Sequence, residues 1–369
     1  MSSQRIQTKY GSAGLFVGPS PATGQHFSVG NEGVNLVAQL PRIQSFSDEW
    51  DNPLENVNQF GSTAAIDRVS TTSPTPTFDF EYFLTNGVNE KRLGFPIDGN
   101  TSCISGFLEG TEDSKNYFAL FVPEGTDAVA NTNRANHFVI GLGNGYINNW
   151  SASLSVGDFA RATVSVEGSN YVVHANSSGN SIPAIDPTNG SEITSNLYAL
   201  PVATSGVSNQ PTVIRQGQIS VEALPGNDLF GVKLNSAHLQ SAEITIPLER
   251  EALERLGNQF VFARPLSTPI DGTVSIDFNV SELATGTLAA IFNNCQSNRF
   301  DFRVKLKGCV GDEESDQMIF DVRGAYVDSQ SNSMDIESAR AGSVQFTVPL
   351  GGALDTQNGI FISGSFQNP

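Results

Sequence analysis

The side chains of this chain that could do chemistry are few and scattered. Four histidines, His26, His137, His174 and His238, stand far apart, and none falls at His-x-His or His-Glu-x-x-His spacing, so a zinc site has no local support. The three cysteines, Cys103, Cys295 and Cys309, are odd in number and give neither a metal motif nor a disulfide framework; they fit folding in a reducing compartment. A Cys-His nucleophile is therefore a poor assignment, and each His reads as a surface or packing residue. The acidic clusters Asp48-Glu49-Trp50-Asp51 and Asp312-Glu313-Glu314 lack the spaced Asp-x-Asp-x-Asp-Gly pattern that calcium prefers and read as solvated loops. Gly141-Leu142-Gly143-Asn144-Gly145 is glycine-rich, but no helix pattern follows it, so it reads as a turn or a close backbone approach and not as a phosphate loop. Lys and Arg are sparse and form no basic stripe for nucleic acid. No pattern argues for catalysis or for a cofactor.

Repetition organises the chain instead. Residues 138–166 match residues 318–348 at an offset of 180: Tyr146 meets Tyr326, Ile140 meets Phe320, Leu154 meets Met334, Val164 meets Val344 and Val166 meets Phe346. Each copy reads as a strand-turn-strand unit. Further upstream, residues 40–68 match 236–264 at an offset of 196. There Gln44-Ser45 meets Gln240-Ser241, Phe60 meets Leu256, Gly61 meets Gly257 and Arg68 meets Arg264, while Phe78, Phe80 and Tyr82 meet Val274, Ile276 and Phe278. The fall in offset places sixteen extra residues in the first copy between Tyr82 and Phe138, an insertion expected in surface loops.

The elements needed to build each copy are mostly strands. Phe78, Phe80 and Tyr82 alternate with Asp79 and Glu81, which predicts a half-buried strand with one apolar and one acidic face. Residues 35–46 read as a strand made irregular by Pro41, 116–122 as a strand closed by Pro123, and 171–175, 219–223, 229–234, 242–246, 300–306 and 359–366 as further strands. Residues 15–27 read as an extended arm with a Gly-Pro turn. Residues 47–69 read as a long loop with at most a turn or two of helix, and 86–114 as irregular. The strongest helix pattern is 247–257, with Pro247 near its start, Leu248, Ala252, Leu253 and Leu256 on one face, an i,i+4 pair of Glu251 with Arg255, and Gly257 at its end. A Ser/Asn/Pro-rich stretch, 176–218, separates a first domain, 1–175, from a second, 219–369, and reads as a linker or as an extension lying on the first domain.

Composition sets the outer bounds. At 38% hydrophobic and 16% charged, the chain has enough apolar residues for real cores. Its net charge of −18 favours solubility and repels nucleic acid, either as plain solubility or as a surface that must sit near DNA without holding it. The opening residues carry no apolar core of a secretion signal, and no run of about 18 apolar residues predicts a membrane span.

Residues 56–95 resemble the major tail (tail tube) proteins of long-tailed bacteriophages, in the duplicated-domain variant. The resemblance rests on Val57-Asn58-Gln59-Phe60-Gly61, Ile66-Asp67-Arg68, residues 74–82, Asn89-Glu90 and Leu93-Gly94-Phe95. Its motif residues are thus Asn58, Gln59, Gly61, Asp67, Arg68, Gly94 and Phe95; none is catalytic, so no enzyme activity is implied. It implies a mainly β fold of two tandem β-sandwich or barrel domains, each with a short flanking helix. It further implies a homotrimeric, pseudo-sixfold ring, stacked into a tube in the virion after assembly in the host cytoplasm. The partners implied are the chain itself and other tail proteins (initiator complex, tape measure and terminator), with double-stranded DNA passing through without specific binding. The acids Asp79, Glu81 and Asp277 are the candidates to line the channel, and 47–69 and 86–114 the candidates for contacts between subunits and rings. The rival expectations are a secreted or surface adhesin or carbohydrate-binding β-sandwich, another virion part (fibre, baseplate, capsid decoration), and a carbohydrate-active enzyme with Trp50, Trp150 and paired acids in one cleft.

Overall fold

The computed structural model describes residues 10–19, 37–110, 112–123, 126–205, 213–214, 218–223, 238–279, 299–310, 313–333 and 341–366. The first part of the chain forms β1 (Ala13–Pro19), β2 (Ala38–Leu40), β3 (Ile43–Asp51), β4 (Leu54–Val57), β5 (Asp67–Ser70) and β6 (Thr75–Phe83). Helix α1 (Val88–Leu93), β7 (Asp98–Ser102) and helix α2 (Ser105–Leu108) follow, and then β8 (Lys115–Phe121), β9 (Phe138–Ser155), β10 (Arg161–Glu167) and β11 (Asn170–His174). A separate pair, β12 (Ser178–Ser181) and β13 (Leu197–Ala199), leads to β14 (Ile219–Ala223), β15 (His238–Pro247) and β16 (Asp271–Asn279). The chain closes with β17 (Arg299–Val310), β18 (Glu313–Ser333), β19 (Ala341–Pro349) and β20 (Gly359–Gly364). The period-two patterns are expressed as read: on β6, β16 and β19 every second residue is buried and its neighbours face outward.

The repeat is visible in the pairing. The first copy orders its strands β8-β9-β10-β6-β3, and the second orders them β17-β18-β19-β16-β15. Register agrees residue by residue. Val164 faces Phe80 on one side and Trp150 on the other, as Val344 faces Ile276 and Gln330 at the same offsets of 196 and 180. The irregularities repeat too. One lies at Gln44 and at Gln240, each of which turns its amide back onto the two preceding carbonyls. Another brings the Asn116 carboxamide oxygen to the N–H of Asn144 and the Asp301 carboxylate to that of Gly324, and both donor residues have positive φ, 49° and 71°.

β9 and β18 each serve two layers. The first half of β9 lies between β8 and β11, and its second half pairs with β10. β18 likewise lies between β17 and β20 before pairing with β19. The layers close over apolar rings, with Phe80 against Tyr117 (6.2 Å) in the first copy and Phe302 against Phe346 (5.0 Å) in the second. One buried cluster runs through both copies, joined where Trp150 meets Phe320 at 5.8 Å, and the sheet itself is continuous because β15 pairs with β9.

Several expectations need correction. Residues 247–257 are not a helix. They run extended, bridged at Arg250–Leu266 and Leu253–Ala263, and Arg255 reaches carbonyls of Pro187 and Thr188 instead of pairing with Glu251. The leucine spacing misled because Leu248 is buried while Leu256 is 104% exposed, so no common apolar face exists. Among the described residues the helices α1 and α2 both belong to the first copy. Residues 47–69 are likewise strand β3 and the hairpin β4-β5, so Asp48-Glu49-Trp50-Asp51 is an edge strand and not a loop. The sixteen-residue insertion is partly core: Val88, Leu93, Phe95, Cys103, Ile104 and Phe107 are buried, and β7 pairs with β20. β1 is an integral strand between β2 and β8 and not a free arm.

The stretch 176–205 is a docked extension. Ile182, Ala184, Tyr198 and Leu200 form a second apolar cluster with Phe16, Phe118 and Val139. The glycines of 141–145 lie inside β9, and the extension explains two of them: a Cβ on Gly143 would stand 2.1 Å from the Pro183 carbonyl oxygen and one on Gly141 3.3 Å from the Pro183 ring, while Gly145 faces Tyr117 and Val166. Asn144 pins the extension by giving its amide to the Ile185 carbonyl (3.1 Å) and accepting from the Ile185 N–H (2.6 Å). Strand expectation 229–234, Met334, Cys295 and the side chains of Cys309 and 312–314 lie outside the described residues.

Candidate assembly surface

Most of the residues singled out in sequence gather on three features: an acidic sheet face, two projecting arms and two open strand edges. The face follows from alternation. On β6 and β16 the apolar residues go inward, so Asp79, Glu81 and Asp277 go outward, and Glu81 and Asp277 occupy one position in the two copies. Their surroundings on β9, β10, β15 and β19 are Ser151, Ser153, Thr163, Ser165, Thr245, Ser343 and Gln345, with further acids at Glu49, Asp51, Glu243 and Asp271. Among the described residues of this face one cation stands out, Arg161, and it is neutralised by Glu81 and Asp158, both at 2.8 Å. The Ser241 hydroxyl donates to Asp277 at 2.6 Å. Such a face offers hydroxyls and negative charge and no site for holding phosphate.

The arms carry most of the resemblance motif. Asn58, Gln59 and Gly61 form the tip of the β4-β5 hairpin, and Asp67 and Arg68 start its return strand, where the Arg68 guanidinium donates to Asn56 at 2.8 Å. The counterpart arm, 250–266, has the same bridges at the same offset. Gly61 and Gly257 both take φ 86°, and the adjoining Phe60 and Leu256 are 105% and 104% exposed. Gly94 and Phe95 lie elsewhere: Gly94 closes α1 in the left-handed region (φ 110°), and Phe95 is buried against Phe107 and Trp150.

The bases of the two arms differ sharply. Arg250 and Arg264 are buried. Arg250 donates to Asp113 (2.6 Å) and to carbonyls of Ile147 and Arg264 and lies over the Tyr146 ring at 4.9 Å, while Arg264 pairs with Glu167. Glu167 also accepts from Asn148 at 2.8 Å. At the corresponding places the first arm has exposed Leu54 and exposed Arg68, and the second copy presents exposed Tyr326 and Asp328, the latter accepting from Thr347. The β18 edge from 327 to 333 and the outer edge of β3 have no strand partner among the described residues.

Beneath the face lies a buried polar chain. Trp150 Nε1 donates to the Tyr82 hydroxyl (3.0 Å), which donates to Glu90 (2.8 Å). Burial pushes the Glu90 carboxyl up to about 7 and raises the Tyr82 hydroxyl well above its ordinary range. A cleft of about 770 Å³ lies between the arms, lined by Trp50, Pro74, Tyr171, Glu254 and Phe260, and crossed by the hydrogen bond from Ser73 N–H to Glu254 (3.0 Å). Trp150 is fully buried, so the two tryptophans do not share a cleft. Among the described residues no three His, Cys, Asp or Glu side chains gather as a metal site, and no helix is long and apolar enough to cross a membrane.

Sequence reading missed the buried arginines, Glu90 and the open edges. The matches of Arg68 with Arg264 and of Tyr146 with Tyr326 were the available signal for the arm bases, but burial decides their meaning. Compared with protein-family models and with curated proteins, the chain matches none.

Proposed function

We propose that this chain is a structural building block of a phage tail tube, in which head-to-tail copies close a ring around a channel and rings stack. The observation that carries the reading is one continuous sheet, made of two repeats in equal register, with an acidic hydroxyl-rich face and, among the described residues, open edges at β3 and β18. Closing such edges into a ring removes them as sites of unscheduled pairing. Three chains at −18 each would carry −54, and a wall bearing Asp79, Glu81 and Asp277 would let DNA pass without holding it. The arm tips Phe60 and Leu256, exposed on a protein in isolation, suit contacts to the neighbouring ring. Initiator, tape measure and terminator proteins are the further partners this role requires, and the virion is its place.

Electron microscopy of the concentrated protein tests the reading: rings or tubes with a central channel are expected, and a monomer that never assembles and binds glycans overturns it in favour of an adhesin. In particles, replacing Asp79, Glu81 and Asp277 with Lys is expected to leave tubes intact and slow or block genome ejection; normal ejection sinks the lumen assignment.

A further inference from the structure

We propose that a second copy of this chain lays its β3 on the free edge of β18 in the register that β15 takes on β9, and seats its Arg68 on Asp328 and its Leu54 on Tyr326. The template is inside the molecule. Glu243 to Pro247 of β15 face Ser153 to Asn149 of β9 in antiparallel order. Carried through the offsets of 196 and 180, the same junction pairs Ser47 with Ser333, Asp48 with Asn332, Glu49 with Ser331, Trp50 with Gln330 and Asp51 with Ser329. Both edges are described, exposed over these residues except for the part-buried Gln330, and among the described residues unpaired on the sides concerned.

The arm supplies an independent argument from charge. Inside the chain, Arg264 of the second arm is neutralised by Glu167, whose neighbour across the bulge is Asn148. In the second copy those two positions hold Thr347 and Asp328. The carboxylate has moved to the facing strand and is still present, so an arm arriving with Arg68 in place of Arg264 again meets one negative charge. Arg250, which lies over Tyr146, is replaced on the outer arm by Leu54, and Tyr146 by the half-exposed ring of Tyr326: a cation on an aromatic becomes an apolar contact on an aromatic. The arm arginine meets a carboxylate in either version.

The side chains along the edge explain why the outer junction can wait for a partner. Ile244, Ile246, Ala152 and Trp150 make the inner junction apolar and buried, whereas Asp48, Trp50, Asn332 and Gln330 stand in their places. A polar edge keeps the free protein soluble, and a single exposed tryptophan remains as an anchor. This pairing deepens the tube reading and rests on it only for the closure of the contact into a ring, since head-to-tail contacts close only if the rotation per copy allows it.

Two experiments decide the pairing. In assembled protein, the double variant Glu49→Cys with Ser331→Cys is expected to give disulfide-linked oligomers on oxidation, while Glu49→Cys with Asn332→Cys, aimed at the opposite face, and each single variant give none above the background of the native cysteines. Arg68→Asp and Asp328→Arg are each expected to weaken assembly at least tenfold without changing the circular dichroism melting curve of the free protein, and the two together to restore it to within a few fold. Equal cross-linking by the shifted pair, no cross-linking in assembled material, or a double swap as defective as the singles overturns the proposal. Rings that form regardless of both tests keep the tube reading and reject this pairing; specific cross-links in open chains without a channel keep the pairing and reject the tube.

Discussion

The second halves of β9 and β18 share a backbone and differ in what lies beside them. β9 carries Trp150 and Ala152 into the core and receives β15, so its position is permanent and dry. β18 carries Gln330 and Asn332 at the same places and, among the described residues, receives nothing on that side. The bulge at Asn148 is repeated at Asp328, and the register on β10 and β19 is equal. The two copies therefore share what the main chain does, while their side chains make one junction a core and the other a surface. Register in a sheet is held by the buried face and by bulges, which is why it outlasts most side-chain identities.

Substituting the core of the inner junction should separate the two most. Trp150→Ala removes the ring that touches Phe95 and Phe320 and the donor to Tyr82, and is expected to cost about 3–5 kcal/mol in urea denaturation. Gln330→Ala, its counterpart, is expected to change the free protein by less than about 0.5 kcal/mol. Equal losses would mean that β18 is covered in the free chain and that the contrast is false.

A second difference is the carboxyl of Glu90, buried on α1 of the first copy beside Tyr82. Glu90 titrates at about 7 in the folded protein against an ordinary value of 4.5, so the folded state holds the proton more tightly. Its contribution is fully present below the ordinary value, and stability falls as pH rises from about 4.5 to about 7, by about 3 kcal/mol in all. Glu90→Gln should remove that slope, seen as a wild-type minus variant stability difference that falls across this window; a difference constant with pH rejects the assignment.

The last contrast concerns the docked extension, which lies on the first copy. Gly143→Ala brings a methyl against the Pro183 carbonyl and should destabilise by about 1–3 kcal/mol, with faster proteolysis within 178–205 as its signature. In the second copy the corresponding residue is Arg323, whose guanidinium lies over Phe361 at 4.2 Å, so that position has no need of glycine.

Much of this architecture is legible in the residues. Alternation in Phe78, Phe80 and Tyr82 and in Val274, Ile276 and Phe278 defines which side of each strand is wet, and the paired Gln-Ser, Gly and Arg matches locate the repeat and both of its offsets. These are local properties: a period of two needs only the strand itself. Where the pattern was ambiguous it failed, as at 247–257, because leucine spacing alone cannot tell a helix face from an extended arm whose Leu248 is buried and Leu256 free. The tertiary structure alone decided that β15 joins β9, that Arg264 is buried while Arg68 is not, and that Trp150 is core while Trp50 is edge. Those outcomes depend on which distant strand arrives beside each residue, and burial, charge pairing and an open edge are properties of that neighbour as much as of the residue itself.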